Sequence, residues 1–201
     1  MSAADSACHE LLLRLAGRLP GDVLWRLRDW LGTDTPQGRT AVGATLPKAL
    51  LRNRIGLTEL ERALLVDAVG GWGAARRSVD AVLPVQTPDR LAFEFRTRAV
   101  DHDTATLSVL AVVRGSPGVH EVRQSIRVGA AGEQRVLILI GGDRPWQLTG
   151  TLQRVLRAHG DRVPAVEVLP TDLEPPTYHK AAIVGSAPLW TVTTAHAGAL
   201  T

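Results

Sequence analysis

Cysteine is nearly missing from this 201-residue chain, in which Cys8 is the single example. No disulfide can form within the chain, and cysteine-rich zinc sites are excluded. Aromatic residues are almost as scarce, with one tyrosine, two phenylalanines and five tryptophans. Aliphatic side chains must therefore do most of the packing. Lysine is rarer still: of 23 basic residues only Lys48 and Lys180 are lysines, and the others are arginine. Together with abundant Ala, Gly, Val and Leu, this is the pattern a GC-rich coding sequence produces without selection for a basic surface. The pI of about 9.7 therefore says little, because 20 acids leave a net charge of +3. That is too little to force a polyanionic partner.

Long apolar runs are absent as well. Val136 to Ile140 is the longest near the middle, far too short to span a bilayer. The N-terminus shows no basic segment followed by an apolar stretch, as a secretory signal would. These absences predict a cytoplasmic protein without a membrane partner.

What is present fits a globular domain: 45% hydrophobic and 21% charged residues are ordinary values. The hydrophobic period changes along the chain. Up to about Leu83 apolar residues recur every three or four positions, as in amphipathic helices. Leu11, Leu12, Leu15 and Leu19 form one stripe; Val23, Leu24, Leu27, Trp30 and Leu31 form another. Asp22 is placed to cap the second helix, and Thr35-Pro36 to open a third that Pro47 restarts. Thr58-Glu59-Leu60-Glu61 is a capping box, and a last short helix is expected from Ala74 to Val82.

After Pro84 the period becomes two. Phe93 to Arg98, Thr104 to Arg114 and His120 to Val128 read as strands of an antiparallel meander, the first pair joined at Asp101-His102-Asp103. Val136 to Ile140, apolar on both faces, reads as a central strand. Asp143 is placed to cap a helix ending at Gly160. Val163 to Leu169 follows as a strand, parallel to the central one by a right-handed crossover. A short element from Thr177 to Gly185 and a strand Leu189 to Thr193 complete the pattern. The expected fold class is α+β: a small N-terminal helical bundle over residues 1–84, then a mixed β-sheet domain over 85–201 with at least one covering helix. The two are expected to pack as one compact body, because Pro84 to Asp89 is too short for a tether.

No segment carries a recognised catalytic motif, so candidate sites rest on local chemistry. Gly141-Gly142-Asp143, between a strand and a helix, lies where open α/β sheets gather ligands. Tyr178-His179-Lys180 concentrates groups able to exchange protons or attack an electrophile. His102 between two aspartates resembles a ligand trio, but three consecutive residues rarely converge on one ion, so no metal and no cofactor are expected. Arg14 with Arg18, Arg154 with Arg157, and Arg52, Arg54, Arg76 and Arg77 could line a phosphate backbone. Acids are interspersed among them, however, and nucleic acid is disfavoured. Trp25 and Trp30 lie five positions apart on one helix, about 140° around it, and tryptophan is typical of interaction hot spots.

The sequence therefore favours a cytoplasmic non-enzymatic protein, an adaptor or regulator that binds another protein, or a second copy of itself, through Trp25 and Trp30. Two alternatives stand beside it. One is a small-molecule enzyme with its site between Gly141-Asp143 and Tyr178-Lys180. The other is nucleic-acid binding through the arginine faces.

Overall fold

Apolar side chains at helical spacing close the first four helices on one another. A computed structural model describes residues 3–70, 79–87, 93–99 and 102–192. Its helical half comprises α1 (Ala3–Arg14), α2 (Gly21–Gly32), α3 (Pro36–Arg52) and α4 (Glu59–Gly70). Leu11, Leu12, Leu27, Leu31, Leu46, Leu50 and Leu65 meet in one buried core. Helix α1 is sandwiched: Leu13 points away from its neighbours Leu11 and Leu12 into a second cluster with Val136, Ile138 and Leu169 of the sheet.

The ends of these helices show which local signals hold. Thr58 and Glu61 form the reciprocal capping box, with Glu61 N donating to Thr58 Oγ1 at 3.3 Å and Thr58 N to Glu61 Oε2 at 2.9 Å. Thr35 caps α3 by accepting from Gly38 N at 3.1 Å. Asp22 is not a cap: Pro20 occupies that position and the helix starts at Gly21, leaving Asp22 in the first turn, where its charge suits the helix dipole. Pro47 does not restart α3 but sits inside one continuous helix. The helix expected over 74–82 falls largely outside the described residues.

The second half contains β1 (Glu94–Arg96), α5 (Thr104–Arg114), β2 (Val119–Gly129), β3 (Gly132–Gly141), α6 (Pro145–Ala158), β4 (Ala165–Leu169), α7 (Thr177–Val184) and β5 (Ser186–Thr191). The sheet order is β1-β2-β3-β4, with β5 also on β2. Among the described strands only β3 and β4 run parallel, with Ile138 opposite Glu167. Strands β5 and β1 share one flank of β2 end to end, pairing with Glu121 to Ser125 and with Ile126 to Val128 respectively. The architecture is α+β, with helices preceding a mixed sheet and packing on it.

Thr104–Arg114 corrects the sequence reading: it is a helix, not a strand. Asp103 caps it, accepting from Thr106 N at 2.7 Å, and Ala105, Val109, Leu110 and Val113 fall on one buried face. Its valines favour strands intrinsically, but the buried positions recur at helical spacing and packing overrides propensity. Asp143 likewise does not cap α6; Arg144 holds the cap position ahead of Pro145.

Helices α5 and α6 cover one face of the sheet, where Val109, Leu137, Leu139, Leu152, Val166 and Val168 are buried together. Helices α1 and α7 cover the other through Leu13 and Ala182. Helix α2 crosses α6 at two glycines: a Cβ on Gly32 would lie 2.8 Å from Gly150 Cα, and one on Gly150 would lie 2.9 Å from Gly32 Cα.

Candidate functional site

The turn after β3 is built by glycine. Gly141 has φ +93°, and a Cβ there would lie 2.1 Å from the Gly118 carbonyl oxygen. That oxygen accepts from Gly142 N at 2.8 Å, and Pro117 O accepts from Asp143 N at 3.3 Å. The α5–β2 loop and the β3–α6 turn are thus laced together. Beside them opens a cavity of about 300 Å³, with Val112, Pro117 and Leu148 as its apolar wall. Ser116, Gly142, Asp143, Arg144, Gln147 and Thr151 supply the polar lining. Asp143 and Arg144 are exposed, so the rim offers one charge of each sign.

Tyr178, His179 and Lys180 lie elsewhere. Glu167 on β4 faces away from Val166 and Val168, toward α1 and α7, and there His179 Nε2 donates to it at 2.8 Å. Tyr178 is buried edge-on against Phe95, and its hydroxyl accepts from Arg127 at 3.2 Å. Lys180 points outward to Glu174. The sheet stands between this trio and the Gly142–Asp143 cavity, so the two predicted segments do not form one site.

The most concentrated chemistry is a sealed network that sequence reasoning missed. Arg28 of α2 grips Glu167 with two bonds of 2.8 and 2.7 Å, and donates further to Leu12 O and Val166 O at 3.1 Å each. His9 of α1 donates to Val168 O at 2.9 Å. Burial alone would raise the Glu167 pKa, but the Arg28 guanidinium and the His179 hydrogen bond hold it down to about 2. Burial lowers His9 to about 4, so its ring is neutral near pH 7. Burial, reinforced by the Glu167 charge, pushes Tyr178 up to about 12, and burial with the Asp5 charge pushes the Cys8 thiol up. A signal for this network did exist. Glu167 interrupts the apolar run of β4, and Arg28 falls on the buried stripe of α2 with Leu24, Leu27 and Leu31. A charge on each of two apolar surfaces points to mutual pairing.

Trp25 and Trp30 are both half-buried. The Arg157 guanidinium lies 4.2 Å over the Trp25 ring, while Trp30 packs partly against the helical core. Of the arginines singled out as possible phosphate contacts, three have acidic partners. Arg14 pairs with Glu10 at 2.7 Å, Arg18 with Glu61 at 2.6 Å and Arg154 with Asp29 at 2.8 Å. Among the described residues no group of three or more His, Cys, Asp or Glu side chains could hold a metal. Asp101, Arg76 and Arg77 lie outside them. No helix among the described residues is long and apolar enough to cross a membrane. Compared with protein-family models, curated proteins and solved structures, the chain matches none.

Proposed function

We propose that this protein acts in the cytoplasm by binding another protein through its helical half, without chemistry of its own. The observation that supports this is the incomplete burial of Trp25 and Trp30 on α2. Leu60 and Val66 on α4, 51% and 53% exposed, add apolar surface to the same half. A half-covered tryptophan combines large contact area with little entropy to lose on docking, which is why it dominates so many interfaces. The single cysteine is buried and fits a reducing compartment.

The test is a measured affinity. A partner retained by the immobilised chain is purified and titrated calorimetrically against wild type, Trp25→Ala, Trp30→Ala and Leu60→Asp. Loss of about tenfold or more, about 1.4 kcal/mol, in either tryptophan variant with an unchanged circular dichroism spectrum supports the reading. Undiminished affinity in both tryptophan variants overturns it.

The cavity beside Gly142 and Asp143 supports a second reading, recognition of a small polar molecule at the end of β3. Thr151→Phe fills that cavity. A compound that raises the melting temperature of wild type but not of Thr151→Phe supports small-molecule recognition there; an equal shift in both removes it.

A further inference from the structure

The cavity beside the β3–α6 turn carries a pattern of charge that narrows what it can hold. Asp143 and Arg144 are the charged members of its lining, adjacent in the chain and opposite in sign. They do not pair with each other. Among the described residues neither side chain takes part in an ion pair or a hydrogen bond, and both are exposed to an incoming molecule.

The groups around them are held in place. Gly118 has a positive φ of +77°, and a Cβ there would collide with Asp143 Oδ1, so glycine leaves the space in which the carboxylate lies. Gln147 Nε2 donates to Asp34 Oδ2 at 2.6 Å, which leaves the Gln147 carbonyl oxygen free to accept. Asp34 adds no free charge, because it is paired with Arg39. Ser116 donates its hydroxyl to Val112 O at 2.9 Å, and it too keeps an acceptor oxygen.

A ligand with a single charge fits this lining poorly. An anion would gain Arg144 but be repelled by Asp143, and a cation the reverse. A zwitterion satisfies both, its ammonium on Asp143 with Gln147 and Ser116 as further acceptors, its carboxylate on Arg144. Bonds of this charge-assisted kind are the strong ones. Val112, Pro117 and Leu148 leave an apolar wall for the rest of the molecule. A volume of about 300 Å³ lies at the small end of the range for ligand sites, which suits an amino acid and not a nucleotide.

Resting on the small-molecule reading of this cavity, we propose that it binds a free α-amino acid with an aliphatic side chain. Asp143 takes the ammonium group, Arg144 the carboxylate, and Val112 and Leu148 the side chain. The site is separate from the tryptophan surface and independent of it.

The probe is L-leucine, with two controls: L-leucinamide lacks the carboxylate and N-acetyl-L-leucine lacks the ammonium group. The assigned amide cross-peaks of Gly118 and Gly142 are followed in a 1H–15N spectrum during titration. L-Leucine is expected to move them saturably, and each control to bind more weakly by about tenfold or more. Arg144→Gln should weaken L-leucine by about tenfold and L-leucinamide far less, while Asp143→Asn should weaken L-leucine likewise and N-acetyl-L-leucine far less. No saturable shift with L-leucine, a control that binds as well, or a variant that binds L-leucine like wild type would each overturn the amino-acid assignment. In that event a different compound that stabilises wild type but not Thr151→Phe keeps the small-molecule reading and removes only the ligand class. An undiminished response of Thr151→Phe to L-leucine removes both.

Discussion

Arg28 and Glu167, 139 positions apart in the chain, are joined by a two-point ion pair in which each side chain is 2% exposed. The pair ties α2 to β4, and thus the helical half to the sheet. Removing one partner leaves the other charged in a dry environment. Arg28→Met is expected to lower stability by about 3–5 kcal/mol. Adding Glu167→Gln, which keeps an acceptor for His179, should restore most of that loss. Urea unfolding of the two single variants and the double variant checks it, and a double variant no more stable than Arg28→Met would refute the pairing argument.

Acid should weaken this junction in two stages. His9 has its pKa depressed from the ordinary 6.5 to about 4. Between those values the unfolded chain binds the proton and the folded chain does not. His9 therefore contributes fully above pH 6.5, and about 3 kcal/mol disappears as the pH falls through that window to about 4. Glu167, depressed from 4.5 to about 2, acts in the same direction over the lower window. Unfolding free energies measured at a series of pH values should fall on acidification, and His9→Leu should flatten the slope between pH 6.5 and 4.

Gly150 sits in mid-helix, where alanine would ordinarily add about 1 kcal/mol of helix stability. Here the expected sign is opposite. The methyl group would meet Gly32 Cα at 2.9 Å, backbone that cannot swing aside. Gly150→Ala should push α2 and α6 apart and lower stability by about 1–3 kcal/mol. A rise in melting temperature would show that the two helices are not held in contact.

Thr58→Ala removes one half of the capping box and is expected to cost about 1 kcal/mol. Glu61→Ala should cost more, since its carboxylate also receives Arg18 at 2.6 Å and both side chains are largely buried. Equal losses in the two variants would mean that the Arg18 pair contributes nothing.

How much of this could be read beforehand depended on whether the signal was local. The capping box, the Thr35 cap and the parallel β3–β4 pair all follow from neighbouring residues, and the structure contains them. Thr104 to Arg114 reads as a strand because its valines suit one, while the deciding fact, a buried face at helical spacing, is tertiary. Gly142 and Asp143 do border a cavity, but Val112 in its apolar wall comes from a helix whose residues read as a strand. Tyr178 and His179 carry the chemistry that singles them out in the sequence, but Glu167 on β4 draws His179 inward. For Arg28 and Glu167 the sequence shows only a charge on each of two apolar surfaces; no local pattern says that residues 139 positions apart meet.

The end-to-end placement of β5 and β1 along β2 has a consequence for how copies of this protein meet. An eleven-residue strand left open would be a long template for another chain to add to. Instead its free side is taken up by two short segments, six and three residues long, with a step between them. A newcomer finds no straight border to zip along, and brief, broken borders of this kind discourage fibre growth.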